Sequence, residues 1–147
     1  MFFKMKKLAL LLFVSLIGIS CSIDDDNGNF YYDVLPVESY ELPTSFEFGK
    51  VYIIALKYKR PTDCYTNPSL YFEKNGKIRT IAIQSLVASR KDCEAVPNDI
   101  PQELKFNFEV LTTTPYVFKF YKGTDENGID IYEEVTVPVQ NTAPAPN

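Results

Sequence analysis

The sequence predicts an all-β fold: an antiparallel two-sheet sandwich of about seven strands, preceded by an export signal and a flexible tether. Several short segments alternate apolar and polar residues with period two, which is typical of strands with one buried face. Turn-forming residues separate these segments. No stretch has a convincing helical pattern, although 85–91 is compatible with one helical turn. Short strands separated by turn signals are typical of a sandwich.

The chain opens with the pattern of a secretory signal. Lys4, Lys6 and Lys7 make its start positive, and 8–19 is an uncharged, mostly apolar run. A helix needs about 20 apolar residues to span a bilayer, so this run is too short to serve as a transmembrane segment. The sequence therefore predicts a signal peptide over 1–20.

A cysteine ends the signal. Cys21 follows the small residue Ser20, and Gly18 lies three positions before the cysteine. This arrangement resembles the lipobox of bacterial lipoproteins, although that family usually has Leu where Gly18 stands. The resemblance implies that Cys21 carries a diacylglycerol, that the signal is cut before it, and that the new amino terminus is acylated. Two or more acyl chains give stable membrane anchoring. The alternative is ordinary signal cleavage beside an incidental cysteine.

An acidic cluster at 24–26 follows the cysteine. It resembles the surface-export signal of certain Gram-negative lipoproteins, which implies display on the outward face of the outer membrane. The alternative is a solvated tether whose charge keeps it away from anionic lipid. The sequence thus assigns 21–33 to the lipidated cysteine and tether, 34–139 to the sandwich, and the polar, proline-bearing segment 140–147 to a flexible tail.

The strand candidates are rich in β-branched and aromatic residues. In chain order they are 34–42, 51–59, 70–73, 77–84, 104–110, 116–120 and 135–139. The clearest is 104–110, where Leu104, Phe106 and Phe108 alternate with polar side chains. The next is 116–120, where Tyr116 and Phe118 share the predicted inward face.

Prolines and glycines mark the boundaries of these strands. Pro36 interrupts the first candidate, and Pro138 interrupts the last, which favours an edge position or the end of pairing. Asn75 and Gly76 lie between the third and fourth candidates. Because both residues tolerate positive φ, the pair favours a type I′ hairpin turn.

The segment around Tyr116 carries a resemblance. Tyr116 precedes the inward-facing Phe118 by two residues, as in the tyrosine corner of immunoglobulin-like and fibronectin-III-like domains of bacterial surface proteins. The resemblance covers 34–139 and places Phe118 where those domains have a second core cysteine. The chain has no tryptophan for the usual core position. The likeness is architectural, and a sandwich alone identifies no function.

Composition excludes several chemistries. The chain has no histidine, which removes Ser-His-Asp and Cys-His catalysis and histidine-ligated metals. Without the signal, 12 basic and 19 acidic residues give a net charge of −7. An acidic surface without a basic run argues against nucleic acid as a partner. No Gly-rich phosphate loop is present. We therefore expect a protein that is not an enzyme and that takes no cofactor and no metal.

The two remaining cysteines are predicted to pair. Cys64 and Cys93 would meet an oxidising compartment after export, where an even pair is most often a disulfide. The alternative is a reactive or metal-binding thiol pair, for which the sequence offers neither histidine nor CxxC spacing. In the likeness to immunoglobulin domains this pair departs from the pattern, because it joins loop regions.

The tyrosines of the mature chain are candidate recognition residues. The notable ones are Tyr52, Tyr58, Tyr65, Tyr71, Tyr121 and Tyr132. Exposed tyrosines stack on sugar rings or anchor protein partners, but strand propensity alone also explains them. Tyr65 is the preferred candidate, together with Asn67, because both follow Cys64 in a turn-rich loop that a disulfide would hold in place.

Carboxylates offer two weaker candidates. Asp125, Asn127 and Asp130 could supply oxygens to calcium, but the full spacing of a calcium loop is absent. A solvated hairpin loop around Asn127 and Gly128 is the preferred interpretation. The remaining acidic pairs, such as Glu133 with its neighbour, are interpreted as solvated charges because a small sandwich rarely forms a catalytic cleft.

These observations lead to one hypothesis with two rivals. The first is a non-catalytic cell-envelope lipoprotein, anchored to the outer membrane by its lipid and presenting the sandwich for interaction or assembly with a protein or glycan partner. The second is a glycan-binding accessory lipoprotein of a nutrient-uptake system. The third is an inhibitor of secreted proteases. The expected location is the cell envelope, on the surface of the outer membrane.

Overall fold

The computed structural model describes residues 29–97 and 101–140, and these residues form ten strands. In chain order they are β1 (Phe30–Leu35), β2 (Ser39–Glu41), β3 (Phe46–Glu47), β4 (Val51–Tyr58), β5 (Tyr65–Asn75), β6 (Ile78–Ala88), β7 (Gln102–Glu109), β8 (Tyr116–Thr124), β9 (Asp130–Val137) and β10 (Val139–Gln140). The predicted signal, lipidation site Cys21, most of the tether and residues 141–147 lie outside the described residues. No helix of the described residues is long and apolar enough to cross a membrane.

The larger sheet is built around β6. One edge of β6 pairs with β5, and the other edge has two partners in succession. Its first half runs parallel to β8 as far as Ile81 opposite Phe120. Its second half runs antiparallel to β1, starting with Ile83 opposite Leu35. The partner on this edge therefore changes at Ala82. Strand β9 completes the sheet by pairing with β8.

The smaller sheet contains β2, β4 and β7 in that order, all antiparallel. A short parallel pair of β3 with β10 accompanies them. The described residues thus confirm the predicted all-β sandwich. Two of its pairings, β6 with β8 and β3 with β10, are parallel, which differs from the purely antiparallel arrangement that was expected.

An aromatic cluster fills the space between the sheets. Phe46, Phe108, Tyr116 and Phe118 are all buried. The Phe46 ring centroid lies 4.8 Å from that of Tyr52 and 5.2 Å from that of Phe108. Aromatic pairs at such distances stabilise beyond the area that they bury, by about 0.5–1.5 kcal/mol each. The inward faces that period-two alternation predicted for β7 and β8 are the faces found in this core.

The predicted tyrosine corner is present. The Tyr116 hydroxyl oxygen accepts hydrogen bonds from the backbone N–H of Leu111 at 2.9 Å and of Thr112 at 3.2 Å. These donors lie four and five residues upstream, in the connection between β7 and β8. A ring packed in the core thereby holds the loop that links the two sheets.

The hairpin between β5 and β6 differs from the predicted type I′ turn. Asn75 is still paired, opposite Ile78, so the two loop residues are Gly76 and Lys77. Gly76 has φ +55, while Lys77 does not have positive φ. Glycine with positive φ at the first central position is the pattern of a type II′ turn. The turn is shifted by one residue because Asn75 extends the ladder.

Two further boundaries differ from those predicted. Strand β1 starts at Phe30, so the sandwich includes residues 30–33, which the sequence assigned to the tether. Strand β6 continues to Ala88, so the helical turn with which 85–91 was compatible does not form. Ladder pairing with β1 over this stretch outweighs the local preference of the segment.

Candidate functional site: the tyrosine pocket

A surface pocket of 310 Å³ lies on the outer face of the larger sheet, where β6 changes partner. We call it the tyrosine pocket. Its lining residues are Val34, Tyr71, Thr80, Ala82, Tyr121, Asp130 and Tyr132. They come from five strands, β1, β5, β6, β8 and β9. The pocket therefore depends on the assembled sheet and not on one loop.

Small side chains on β6 create the floor. Thr80 and Ala82 point to the outer face, because the alternate residues Ile81 and Ile83 are buried in the core. Ala82 lies opposite Tyr71 of β5. It also lies between the last β6 residue paired with β8, Ile81, and the first one paired with β1, Ile83. A small residue at this junction leaves a depression that the surrounding rings enclose.

Three phenol rings form the walls. Tyr121 and Tyr132 are opposite each other on β8 and β9, with ring centroids 5.8 Å apart and planes inclined by 60°. The Lys119 ammonium lies 5.0 Å from the Tyr132 ring centroid. Tyr71 is 41% exposed and Tyr132 is 36% exposed. Neighbours thus support the Tyr132 ring. Tyr71 and Tyr132 are both open to solvent, as a stacking surface requires.

Carboxylates adjoin the phenol hydroxyls. The Tyr71 hydroxyl donates to Glu73 at 3.3 Å, and the Tyr132 hydroxyl donates to Asp130 at 3.4 Å. The charge of Glu73 raises the pKa of Tyr71 above its ordinary value. Burial, followed by the charge of Asp130, raises the pKa of Tyr121 and of Tyr132. The pocket therefore presents neutral aromatic faces beside acceptor oxygens at neutral pH.

An ion-pair network supports β9 next to the pocket. Glu133 accepts a hydrogen bond from the Tyr40 hydroxyl at 2.6 Å and pairs with the Lys122 ammonium at 3.1 Å. The Tyr40 ring stacks on Phe120 at 3.9 Å. Burial and Glu133 together raise the pKa of Tyr40 to about 12, and the Tyr40 hydrogen bond lowers the pKa of Glu133. This network ties the strand that carries Tyr132 to the rest of the sandwich.

The predicted disulfide is present. Cys64 and Cys93 are bonded, with Cα atoms 5.6 Å apart. Asp63 beside them accepts a hydrogen bond from the Glu94 N–H at 2.9 Å and pairs with Arg90 at 2.6 Å. Asp63 and the two sulfurs lie close enough to suggest a metal site. Sulfurs in a disulfide are not thiolate ligands, so this group stabilises the loop and does not form a metal site of the thiolate type.

The two recognition candidates beside the disulfide have different settings. Tyr65 is half-buried and packs against the core, and its hydroxyl donates to Asp33 at 2.8 Å. Burial, reinforced by Asp33, raises the pKa of Tyr65 to about 12. Asn67 is exposed at a bulge, with φ +47. Neither residue lines the tyrosine pocket, and their role in recognition stays a prediction.

The acidic loop between β8 and β9 is organised around Asp125. Its Oδ1 accepts hydrogen bonds from the backbone N–H of Asn127 at 2.8 Å and of Ile129 at 2.9 Å. These bonds lower the pKa of Asp125. Gly128 has φ +78, as a tight loop requires. The Asp125 carboxylate, a candidate calcium ligand in the sequence, therefore stabilises the hairpin loop. Asp130, the other candidate carboxylate, lines the tyrosine pocket.

The sequence indicates the three pocket tyrosines individually but does not show that they lie together. A signal for one of them was present, since the inward pattern of Tyr116, Phe118 and Phe120 places Tyr121 on the outer face. Which strands are neighbours could not be read from alternation. The pocket needs β5, β8 and β9 around the partner change at Ala82, and only the structure shows that arrangement.

Comparison with known proteins found no matching family model, no matching curated protein and no matching solved structure.

Proposed function

We propose that this protein is a non-catalytic cell-envelope lipoprotein that uses its β-sandwich as an interaction module at the outer membrane. The short apolar signal, Cys21 after Ser20 and the acidic cluster at 24–26 support the anchor. The absence of histidine from the chain supports a role in binding over acid–base catalysis. The anchor and the location rest on the likeness to bacterial lipoproteins, and the sandwich agrees with a domain of bacterial surface proteins.

The tyrosine pocket is the observation that supports a binding role and favours a glycan as the ligand. Its volume of 310 Å³ is at the small end of ligand sites, which span about 300–1,000 Å³. Sugars present apolar C–H faces and hydroxyl donors on the same ring. Tyr71 and Tyr132 offer aromatic faces to the former, and Asp130 offers acceptor oxygens to the latter. This combination fits a sugar ring better than it fits a purely apolar ligand.

The pocket residues come from a rigid sheet, which suits recognition of a ligand without large rearrangement. Tyr121 and Tyr132 support each other, and the Lys119 ammonium lies over the Tyr132 ring while pairing with Glu134 at 3.2 Å. Rings that are already fixed lose little conformational entropy when a ligand binds. Rigid stacking surfaces with adjacent acceptors are therefore the basis of the proposed glycan recognition.

The anchor is tested by fractionating cells that express the full-length protein. Cys21→Ala should move the protein from the membrane fraction to the soluble fraction, because it removes the acyl acceptor. Ser22→Ala is the matched control and should stay in the membrane fraction. Protease treatment of intact cells should then digest the wild-type domain if the protein faces outward. A Cys21→Ala variant that remains membrane-bound contradicts the anchor.

The binding role is tested by screening purified full-length protein on an array of bacterial, plant and host glycans. Wild-type protein should bind a defined set of glycans, and Tyr71→Ala or Tyr132→Ala should weaken binding about tenfold or more. Tyr32→Ala is the control, since Tyr32 is an exposed tyrosine of β1 that does not line the pocket. An array without hits, or equal losses in all three variants, contradicts glycan recognition by the pocket.

A further inference from the structure

A second pocket opens between the two sheets, at the side where β5 and β7 face each other. Its volume is 190 Å³. Phe72 and Tyr116 contribute aromatic walls, and Leu111, which is largely exposed, lies at the pocket. Charged groups come from both sheets, with Lys74 and Arg79 from one and Glu109 from the other. We call this site the arginine cleft.

Arg79 is the unusual residue of the cleft. Its side chain lies on the core side of β6, and the residue is only 9% exposed. Its Nη1 donates to the carbonyl oxygens of Gly76 at 2.7 Å and Ile78 at 2.8 Å. The guanidinium carbon lies 4.9 Å from the Tyr116 ring centroid. Among residues 29–97 and 101–140, no carboxylate lies within 4.0 Å of this guanidinium, whereas seven ion pairs form between other residues.

A buried cation without a counter-ion is unfavourable unless other groups compensate. Two carbonyls and one aromatic face supply part of the compensation for Arg79, and all the hydrogen bonds found for it use Nη1. An arginine fork is suited to a carboxylate, which it binds through two parallel hydrogen bonds. The cleft thus has a fixed cation and lacks the anion that would complete it.

The other charged residues define what kind of anion would fit. Lys74 is exposed and places its ammonium 5.7 Å from the Phe72 ring centroid, at the rim of the cleft. Glu109 is exposed on the opposite wall. The cleft is smaller than the usual range for drug-sized ligands, about 300–1,000 Å³, so it fits a ligand of the size of one amino-acid residue. Its walls combine two cations, one carboxylate and apolar rings.

We propose that the arginine cleft binds the carboxylate of a single apolar amino-acid unit, with Arg79 and Lys74 holding the carboxylate and the apolar side chain lying against Phe72 and Leu111. The unit is either a free amino acid or the carboxyl terminus of a peptide. The two sources differ in one group, because a free amino acid also carries an ammonium that can pair with the Glu109 carboxylate. This site is separate from the tyrosine pocket and does not depend on glycan binding.

The test is an NMR titration of the purified full-length protein with three probes. Phenylalanine carries carboxylate and ammonium, N-acetylphenylalanine keeps only the carboxylate, and phenylalaninamide lacks the carboxylate. We expect one or both carboxylates to shift the backbone resonances of residues 72–79 saturably, and the amide to leave them unchanged. Higher salt should weaken the binding. Equal binding of the amide, or no saturable shift with either carboxylate, overturns the proposal.

Variants then assign the contacts. Arg79→Gln should weaken carboxylate binding at least tenfold, and Lys74→Gln about threefold. Lys77→Gln is the control, since it removes an equal charge from an exposed residue of the same hairpin that does not line the cleft. Lys74 is exposed, so its variant keeps the test decisive if Arg79→Gln fails to fold. Equal losses in Lys74→Gln and Lys77→Gln overturn the assignment.

Glu109→Gln distinguishes the two sources of the carboxylate. If the cleft takes free amino acids, this variant weakens binding of phenylalanine and leaves N-acetylphenylalanine unaffected. If it takes a peptide carboxyl terminus, N-acetylphenylalanine binds at least as well as phenylalanine to the wild-type protein, and Glu109→Gln leaves its affinity unchanged. A loss of both ligands to the same extent contradicts the placement of the ammonium beside Glu109.

Discussion

Replacing Tyr116 by Phe isolates the contribution of the tyrosine corner to stability. The change keeps the ring, which packs at 5.0 Å from Phe108 and at 6.0 Å from Phe46, and removes only the hydroxyl. That hydroxyl accepts two backbone N–H bonds, from Leu111 and Thr112. Hydrogen bonds contribute about 0.5–1.5 kcal/mol each in net terms, so two bonds are worth about 2 kcal/mol. The loop between β7 and β8 should loosen while the core stays packed.

The assay is thermal and urea unfolding followed by circular dichroism. In a domain of about 110 residues, 2 kcal/mol corresponds to a decrease in Tm of roughly 10 °C. The matched control is Tyr132→Phe, because its hydroxyl is solvent-accessible and makes a 3.4 Å hydrogen bond. We expect that control to change the free energy of unfolding by less than about 0.5 kcal/mol. Equal free energies of unfolding for the two variants would show that the Tyr116 hydroxyl contributes no more to stability than a surface hydroxyl, which is contrary to this expectation.

Three other perturbations test the structural account. Removing the disulfide by replacing Cys64 and Cys93 with Ala should cost about 3.5 kcal/mol, because the bond closes a loop of sequence separation 29; an unchanged denaturant midpoint would contradict this. Gly76→Ala should cost about 1 kcal/mol through its φ of +55 alone, since a Cβ there meets nothing within 4 Å; a neutral effect would disprove the turn assignment. Stability should fall as pH rises from about 10 to 12, because the folded pKa values of Tyr40 and Tyr65 are raised to about 12, so their contribution is complete below the ordinary value of 10.0 and is lost above the raised one. Absorbance titration of the phenolates checks the raised pKa values, and replacing both tyrosines by Phe should remove the phenolate signal that forms at the highest pH. A single transition near pH 10 would contradict the raised pKa values.

The sequence predicted which face of a strand is buried, but it did not predict which strands pair with each other. Alternation placed Tyr116 and Phe118 inward correctly because side-chain direction follows directly from a period of two. It carried no information on which strands pair, since pairing depends on distant segments. The parallel contact of β6 with β8 and the partner change at Ala82 were therefore not predicted. The tyrosine pocket depends on that change, so its tyrosines were named individually and not as a site.

Phe46 shows a different limit of sequence reasoning. It contacts four other rings and is fully buried, yet its strand β3 spans only Phe46–Glu47. Two residues are too few to show a period, so no pattern could mark this position as central. By contrast, the pairing of Cys64 with Cys93 was predictable because an even pair of cysteines leaves few alternatives in a chain that opens with the pattern of a secretory signal.

Glycan binding by the tyrosine pocket can be tested by introducing a single tryptophan into the protein. The chain contains no tryptophan, so Tyr132→Trp creates the only indole fluorophore in the protein, at the wall of the pocket. Emission of this variant is measured during titration with soluble oligosaccharides from the array panel. A second variant adds Ala82→Leu, which fills the floor, and a third adds Gln84→Leu, which changes the same face of β6 outside the pocket.

We expect a saturable change in emission with at least one oligosaccharide. The change should be lost when Ala82→Leu is added and kept when Gln84→Leu is added. Circular dichroism establishes that each variant is folded. Emission that no oligosaccharide changes, or a response that survives Ala82→Leu undiminished in a folded protein, would contradict the claim.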